Sequence, residues 1–230
     1  MTAQAYTGVD VLEVMAEAEN YNAFLLDQII ASSGGARTAV DFGAGMGTFA
    51  GMVRDRGLEV TCIEPDAGLR DHLSARGLAN HPSIAALPPA SADFIYSLNV
   101  LEHIEDDLAA LRDIHAAMRP GGRFYIYVPA FDVLRTSLDD KVGHFRRYTK
   151  PLLTTRLAQA GFAIERARYV DCLGFPAALA FKVMDDGSCR LNTGMVRLYD
   201  RVAFPASRLL DTVFSHAFGK NLAVLARRPA

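Results

Sequence analysis

Three glycines at alternate positions, Gly43, Gly45 and Gly47, follow a short apolar run with one acid, Val40-Asp41-Phe42. Glycine permits positive φ and lets a backbone approach a ligand closely. A helical pattern begins at Thr48, so free N–H groups would point at whatever lies in the turn. The spacing selects the ligand. A dinucleotide fingerprint is G-x-G-x-x-G, built to seat a pyrophosphate, and residues 43–50 contain no such pattern. The pattern present is D-x-G-x-G-x-G. Glu64 closes the next apolar run, twenty-one positions after Gly43. An acid at that place can accept both ribose hydroxyls of an adenosine. Turn and acid together read as an adenosine site; a plain glycine-rich turn with a solvated acid is the alternative.

The elements that must position these residues are legible in the hydrophobic periodicity. Residues 9–31 carry apolar residues at helical spacing and end at Ser32-Ser33-Gly34-Gly35. Strands are expected at 38–42, 58–63, 93–97, 123–128, 162–170 and 222–226. Helices are expected at 48–56, 67–76, 106–118 and 151–160, the last capped by Thr149 and stopped by Gly161. Strands alternating with helices of this length imply a parallel sheet covered on both faces, an α/β fold. Ligands bind such sheets outside the carboxyl ends of the strands. Both Gly43 and Glu64 fall there.

Bulk properties exclude several classes. The chain has 230 residues, half of them hydrophobic, which suits one domain with a substantial core. A formal net charge of −2 gives no overall attraction to nucleic acid. Cys62, Cys172 and Cys189 are far apart, with neither metal-ligand nor redox-motif spacing. The N-terminus lacks the pattern of a secretory signal, and no apolar stretch approaches a membrane span, so a cytoplasmic location is expected.

Four motifs in this order, DFGAGMG (41–47), CIEPD (62–66), DFIYSLNVLEHI (93–104) and MRPGGRFYIYVP (118–129), resemble the class I S-adenosylmethionine-dependent methyltransferases. The closer resemblance is to the methyltransferase type 11 subgroup that includes ubiquinone-type O-methyltransferases. That subgroup has LEH after the fourth strand and a later H-x-R/K-R/K-F/Y-S/T, which stands here as GHFRRYT (143–149). The resemblance implies a Rossmann-like seven-strand sheet, mostly parallel with the last strand antiparallel. It implies one domain over 1–230, with an N-terminal helical segment (1–35), a cofactor-binding core (36–130) and a helical cap inserted before the last strand (171–219). S-adenosylmethionine is the implied cofactor. Gly43, Ala44 and Gly45 would line its methionine part, with Asp41 beneath and Gly47 also in the cofactor site. Glu64 would hold the ribose, Pro65 and Asp66 would flank the adenine, and Ala86 and Leu87 would hold the ring's other side. Leu98 and Asn99 would face the transferring methyl, and Tyr21 with Asn22 would close over the cofactor.

The sulfonium donor is already activated, so the protein must align the acceptor, exclude water and remove a proton. Histidine suits proton removal near neutrality, and His144 and His103 are the candidates. Loop fixing for His144 and packing for His103 are the structural alternatives. Glu102, His103 and His144 also resemble the set that related enzymes with E-x-x-E-H use to hold a divalent ion near the acceptor hydroxyl. Asn99 replaces the first acid of that pattern, so a metal is not expected here.

Lys141, His144, Arg146, Arg147 and Lys150 form a basic cluster beside Asp139 and Asp140. One reading is a solvated loop whose arginines pair with those acids. The other is a grip on an anionic acceptor by Arg146, Arg147 and Tyr148. The apolar segment 171–219 packs on the sheet, or forms a lid for an apolar acceptor, or makes a homodimer surface. The expected function is methyl transfer to a small molecule, at oxygen rather than at nitrogen or carbon. An NAD(P)-dependent oxidoreductase and a catalytically silent cofactor-binding module are the competing readings.

Overall fold

The computed structural model describes residues 14, 17–184 and 193–230. Val11, Leu12 and Met15 of the first helical pattern, and Cys189, lie outside them. The helix there is α1, Glu19–Ser32, and β1, Thr38–Phe42, follows it. Next come α2 (Thr48–Asp55), β2 (Glu59–Ile63), α3 (Ala67–Ala75), β3 (Ala79–His81) and β4 (Ala92–Leu98). Then α4 (Asp107–Ala117), β5 (Met118–Pro129), α5 (Ser137–Lys141), α6 (Lys150–Gln159) and β6 (Ala163–Val170) complete the sheet's flanks. The cap is α7 (Gly174–Met184), α8 (Thr193–Leu198), a π-helical turn (Tyr199–Ala203) and α9 (Phe204–Phe214), before β7 (Asn221–Arg227).

The seven strands form one sheet in the order β3-β2-β1-β4-β5-β7-β6. β7 runs antiparallel to both neighbours, and the other pairs are parallel. Strand periodicity of two sends alternate side chains to opposite faces. In β4 and β5, Ile95, Phe124 and Ile126 join the core under α4 and α6. Phe94, Tyr96, Tyr125 and Tyr127 face the other way, onto α1 and α2. Full burial of a wholly apolar side chain such as Ile95, Phe94 or Phe124 contributes about 1.5–3 kcal/mol relative to exposure.

Two local expectations fail. β3 is absent from the six strands read from periodicity, because three residues of sequence Ala-Asn-His carry no apolar alternation. Only its pairing with β2, Ile63 opposite His81, defines it. β5 begins at Met118 and not at 123. Ala92 pairs with Met118, and Gly121 and Gly122 exchange backbone bonds with Arg228, so the Pro-Gly-Gly stretch is held in the sheet. The cap is helical, as expected. Phe204 is buried, whereas Met195, Leu198, Val202, Leu209 and Val213 are exposed, so only part of its apolar surface packs on the body.

Candidate active site

The parallel register sets Phe42 of β1 opposite Ile63 of β2, which brings the glycine turn beside Glu64. Gly43 and Ala44 donate backbone N–H groups to the Ile63 carbonyl at 2.8 and 3.1 Å. Gly43, Gly45 and Gly47 all have positive φ. Gly47 is the N-cap of α2, in the left-handed conformation. A Cβ on Gly43 would overlap the Val100 methyls, so the loop after β4 lies directly against the turn. Glu64 is 6% exposed; one carboxylate oxygen accepts from the Gly45 N–H at 2.8 Å and the other from the Asp66 N–H at 3.0 Å. Asp66 in turn caps α3 by accepting from the Leu69 N–H at 2.9 Å. Pro65 is exposed. Asp41 is buried beneath the turn, and burial pushes its carboxyl up to about 7, opposed by the Tyr96 hydroxyl and reinforced by the Glu64 charge.

Ala86 ends a short 3-10 turn and is exposed, while Leu87 packs against the core. Leu98 packs on the opposite face of the sheet, and Asn99 follows it with φ +54°. A left-handed asparagine at a strand end is a local strain of the kind that collects at functional sites. The Tyr21 ring meets Tyr127 and Phe204 edge to face, at 6.1 and 5.4 Å between centroids. The Tyr127 and Asn99 side chains and the Asp171 and Glu102 charges all act on its hydroxyl. Tyr21 therefore faces the same space as Asn99. Asn22 is buried.

The second half of the site sits after β4 and β5. Val100 leads into a 3-10 turn, Leu101–His103. Glu102 is completely buried, and neither carboxylate oxygen meets a donor in good geometry. Burial pushes its carboxyl up to about 8. His103 is driven the other way, to about 4, by burial and by the neighbouring His144. The two imidazoles meet edge to face at 4.5 Å. His144 Nε2 lies 4.0 Å from Glu102 Oε1, and its Nδ1 lies 2.7 Å from Asp139 Oδ1. One ligand atom from each of Glu102, His103 and His144 lies within 4.8 Å of the others. The structure thus brings together the three residues singled out for chemistry.

The arginines of the basic cluster are engaged by acids and carbonyls of the chain itself. Arg147 makes a two-pronged contact with Asp139, Nε to Oδ1 at 2.8 Å and a terminal nitrogen to Oδ2 at 3.0 Å. Arg146 donates to the carbonyls of Ile104 and Glu105, both at 2.6 Å, and reaches Asp107 at 3.1 Å. Tyr148 is fully buried and its hydroxyl donates to Asp107 Oδ2 at 2.7 Å. All three candidates for acceptor binding pair with the buried Asp139 and Asp107 carboxylates, which require paired donors. Lys150 caps the His216 carbonyl at 2.6 Å. Sequence reasoning missed Asp139 as a site residue. The stretch Thr136-Ser-Leu-Asp139 is a capping box, a legible signal that this acid turns inward. Nothing local to Val100 or Asp200 marks their roles.

The strand order, with β7 inserted antiparallel between β5 and β6, and the glycine turn at the end of β1 define a class I S-adenosylmethionine-dependent methyltransferase fold. The chain belongs to the methyltransferase domain family, whose model matches residues 10–167. It is similar to the malonyl-acyl-carrier protein O-methyltransferase of Serratia marcescens, 29% identical over 147 residues, 60% of this chain and 57% of that protein. It is also similar to the ubiquinone biosynthesis O-methyltransferase of Aeromonas salmonicida, 32% identical over 117 residues, 46% of this chain and 49% of that protein. The chain thus spans about half the length of these curated relatives. Among solved structures, a SAM-dependent methyltransferase from Archaeoglobus fulgidus superposes with TM-score 0.61 at 16% identity, over 91% of this chain and 94% of that one. The 1,6-didemethyltoxoflavin-N1-methyltransferase of Burkholderia thailandensis, with bound S-adenosylhomocysteine, gives 0.60 at 20% identity, over 97% of this chain and 83% of that one. These two likenesses show the fold alone. Among the described residues no helix is long and apolar enough to cross a membrane.

Proposed function

We propose that the protein transfers the methyl group of S-adenosylmethionine to an oxygen of a small-molecule acceptor. The observation that carries this reading is the contact between Gly43 and Val100. It sets the loop bearing Glu102 and His103 directly against the glycine turn, so a cofactor site and a proton-accepting site share one wall. The residues present fit the cofactor. Gly43 carries no side chain and Val100 leaves room for none, so the turn presents bare backbone, and Glu64 is a buried carboxylate at the end of β2 with the acceptor capacity that ribose hydroxyls need. Glu64 would hold the ribose, the 43–47 turn the methionine part, and Leu98, Asn99 and Tyr21 would close the methyl end.

Bound there, the cofactor would supply an activated sulfonium methyl, with a neutral thioether as the leaving group. His144 Nε2 would take the proton of the acceptor hydroxyl as that oxygen is methylated. Glu102 and His103 enclose that proton site, and the complete burial of Glu102 keeps water from that side. Oxygen is favoured as the methylated atom because a hydroxyl needs a base and the site presents one; the two relatives named above are O-methyltransferases.

Calorimetric titration with S-adenosylhomocysteine tests the cofactor half. We expect micromolar binding, lost in Glu64→Ala. A folded protein that binds none would overturn the proposal. A panel of hydroxylated acceptors with His144→Ala tests the other half, with turnover expected to fall about 100-fold or more.

A further inference from the structure

We propose that Asp139 is a positioning residue for His144, holding the imidazole in the tautomer protonated on Nδ1 so that Nε2 presents its lone pair beside Glu102. The inference rests on the placement of His144 as the base in the proposed function, and it deepens that reading by assigning the residue that orients it.

The argument is one of donors and acceptors. Asp139 is 2% exposed, and every group directed at its carboxylate is a donor. Arg147 supplies two N–H groups, at 2.8 and 3.0 Å. The Thr136 backbone N–H donates to Oδ2 at 2.9 Å, and the Thr136 hydroxyl reaches the same oxygen at 3.3 Å. A guanidinium has no acceptor and keeps its charge in proteins, so Asp139 acts as an acceptor throughout. Burial works against its ionisation, yet the hydrogen bonds from His144 and Arg147, with the Arg147 charge, hold it well below the usual carboxylate range. The 2.7 Å contact with His144 Nδ1 is therefore an N–H···O bond donated by the imidazole. A neutral imidazole carries one N–H, which leaves Nε2 bare. Nε2 is 4.0 Å from Glu102 Oε1, beyond hydrogen-bond reach, with the His103 ring 4.5 Å away between centroids. The lone pair thus opens into the space between the two residues that the proposed function places around the acceptor.

The backbone fixes the same arrangement. The His144 N–H donates to the Asp139 carbonyl at 2.8 Å, and the Phe145 N–H donates to the Glu102 carbonyl at 2.7 Å. The loop's backbone is therefore tied to the backbone of the residue whose carboxylate sets the tautomer and to the backbone of the acid that Nε2 faces. A purely structural Asp139 would need only Thr136 and Arg147; the bond to Nδ1 is additional to both.

The test is the ¹⁵N spectrum of the histidine-labelled protein at pH 9, above the ordinary imidazole range. His144→Gln assigns its signals among the six histidines. The expected result is protonated Nδ1 and bare Nε2 in the wild type, with the population moving to the Nε2–H tautomer in Asp139→Asn. Arg147→Lys keeps a cation beside Asp139 and should leave the tautomer as it is. A wild-type His144 found mainly as Nε2–H overturns the proposal, and that measurement stands even where Asp139→Asn fails to fold. A folded Asp139→Asn that keeps Nδ1–H overturns it as well. With an acceptor in hand, Asp139→Asn should lower kcat about 100-fold while S-adenosylhomocysteine affinity is unchanged. Failure of the base assignment is separate: His144→Ala would then keep its turnover while the tautomer remained as expected.

Discussion

The Asp200 carboxylate accepts the backbone N–H of Tyr21 at 2.8 Å across 179 positions of chain. Its other oxygen accepts the Asn20 N–H at 2.9 Å. The first N–H groups of a helix have no partner within it, and Ala18, at the N-cap of α1, supplies no side-chain acceptor. An acid from the cap's π-helical turn does so instead. The helix that carries Tyr21 is thereby joined to the C-terminal cap, with Arg197 and Glu17 pairing nearby at 2.7 Å. Asp200→Ala should cost about 1–3 kcal/mol, the penalty for buried donors left unpaired. The check is hydrogen exchange at the Asn20 and Tyr21 amides, which should accelerate, with weaker S-adenosylhomocysteine binding. Unchanged exchange at both amides would remove the idea.

Asp41 gives a pH prediction with a definite sign. Its folded pKa, about 7, lies above the ordinary carboxylate value. A raised folded pKa contributes stability that is complete at acid pH and is lost as pH rises through 7. Asp41→Asn has no such loss. Its melting temperature relative to wild type should therefore rise between pH 5 and pH 8.5 in the ligand-free protein, by about 2–4 °C for each kcal/mol involved. Melting curves at the two pH values decide it; a difference that stays flat or falls contradicts the assignment.

Gly43 and Val100 should be coupled. Gly43→Ala puts a side chain at φ +82° and into the Val100 methyls, a cost of about 1–3 kcal/mol from backbone strain alone. Val100→Ala removes the two methyls that clash, leaving its Cβ at 3.0 Å, and does not remove the strain. The double variant should recover part of the cofactor affinity lost by Gly43→Ala, with a coupling of at least about 0.5 kcal/mol in a titration cycle. Strict additivity would mean that the two residues do not share the wall.

Arg147→Ala should act through Asp139. The acceptor KM should change little, kcat should fall, and stability should drop by about 1.5–3 kcal/mol as a charged hydrogen-bonding partner is removed. Steady-state kinetics beside a denaturant melt separate this from an anion-binding role, which would raise KM and spare stability.

Much of this molecule was set by local rules that a reader of the sequence can apply. Periodicity and stop signals placed β1, β2, β4, β6 and β7 and the helices α1–α4 and α6, but not the short α5, since apolar spacing and glycine act within a few residues. The glycine turn and Glu64 were legible for the same reason: each stands at the end of its own strand. The cluster of Glu102, His103 and His144 was named from residue types, yet its geometry came from elsewhere. His144 approaches Glu102 because Phe145 bonds the Glu102 carbonyl and Asp139 turns inward. Arg146, Arg147 and Tyr148 read as a surface grip because charge density is visible along a chain and burial is not. Only the folded chain supplied the carboxylates of Asp107 and Asp139 that absorb them. β3 exists through its pairing with β2, and α1 is capped by Asp200 from the far end of the chain. Local sequence determined most of the elements that form and the residues that end them; tertiary structure decided which polar groups meet, because partners on different elements, from Arg147 and Asp139 at 8 positions apart to Tyr21 and Asp200 at 179, share no periodicity that a single stretch of sequence displays.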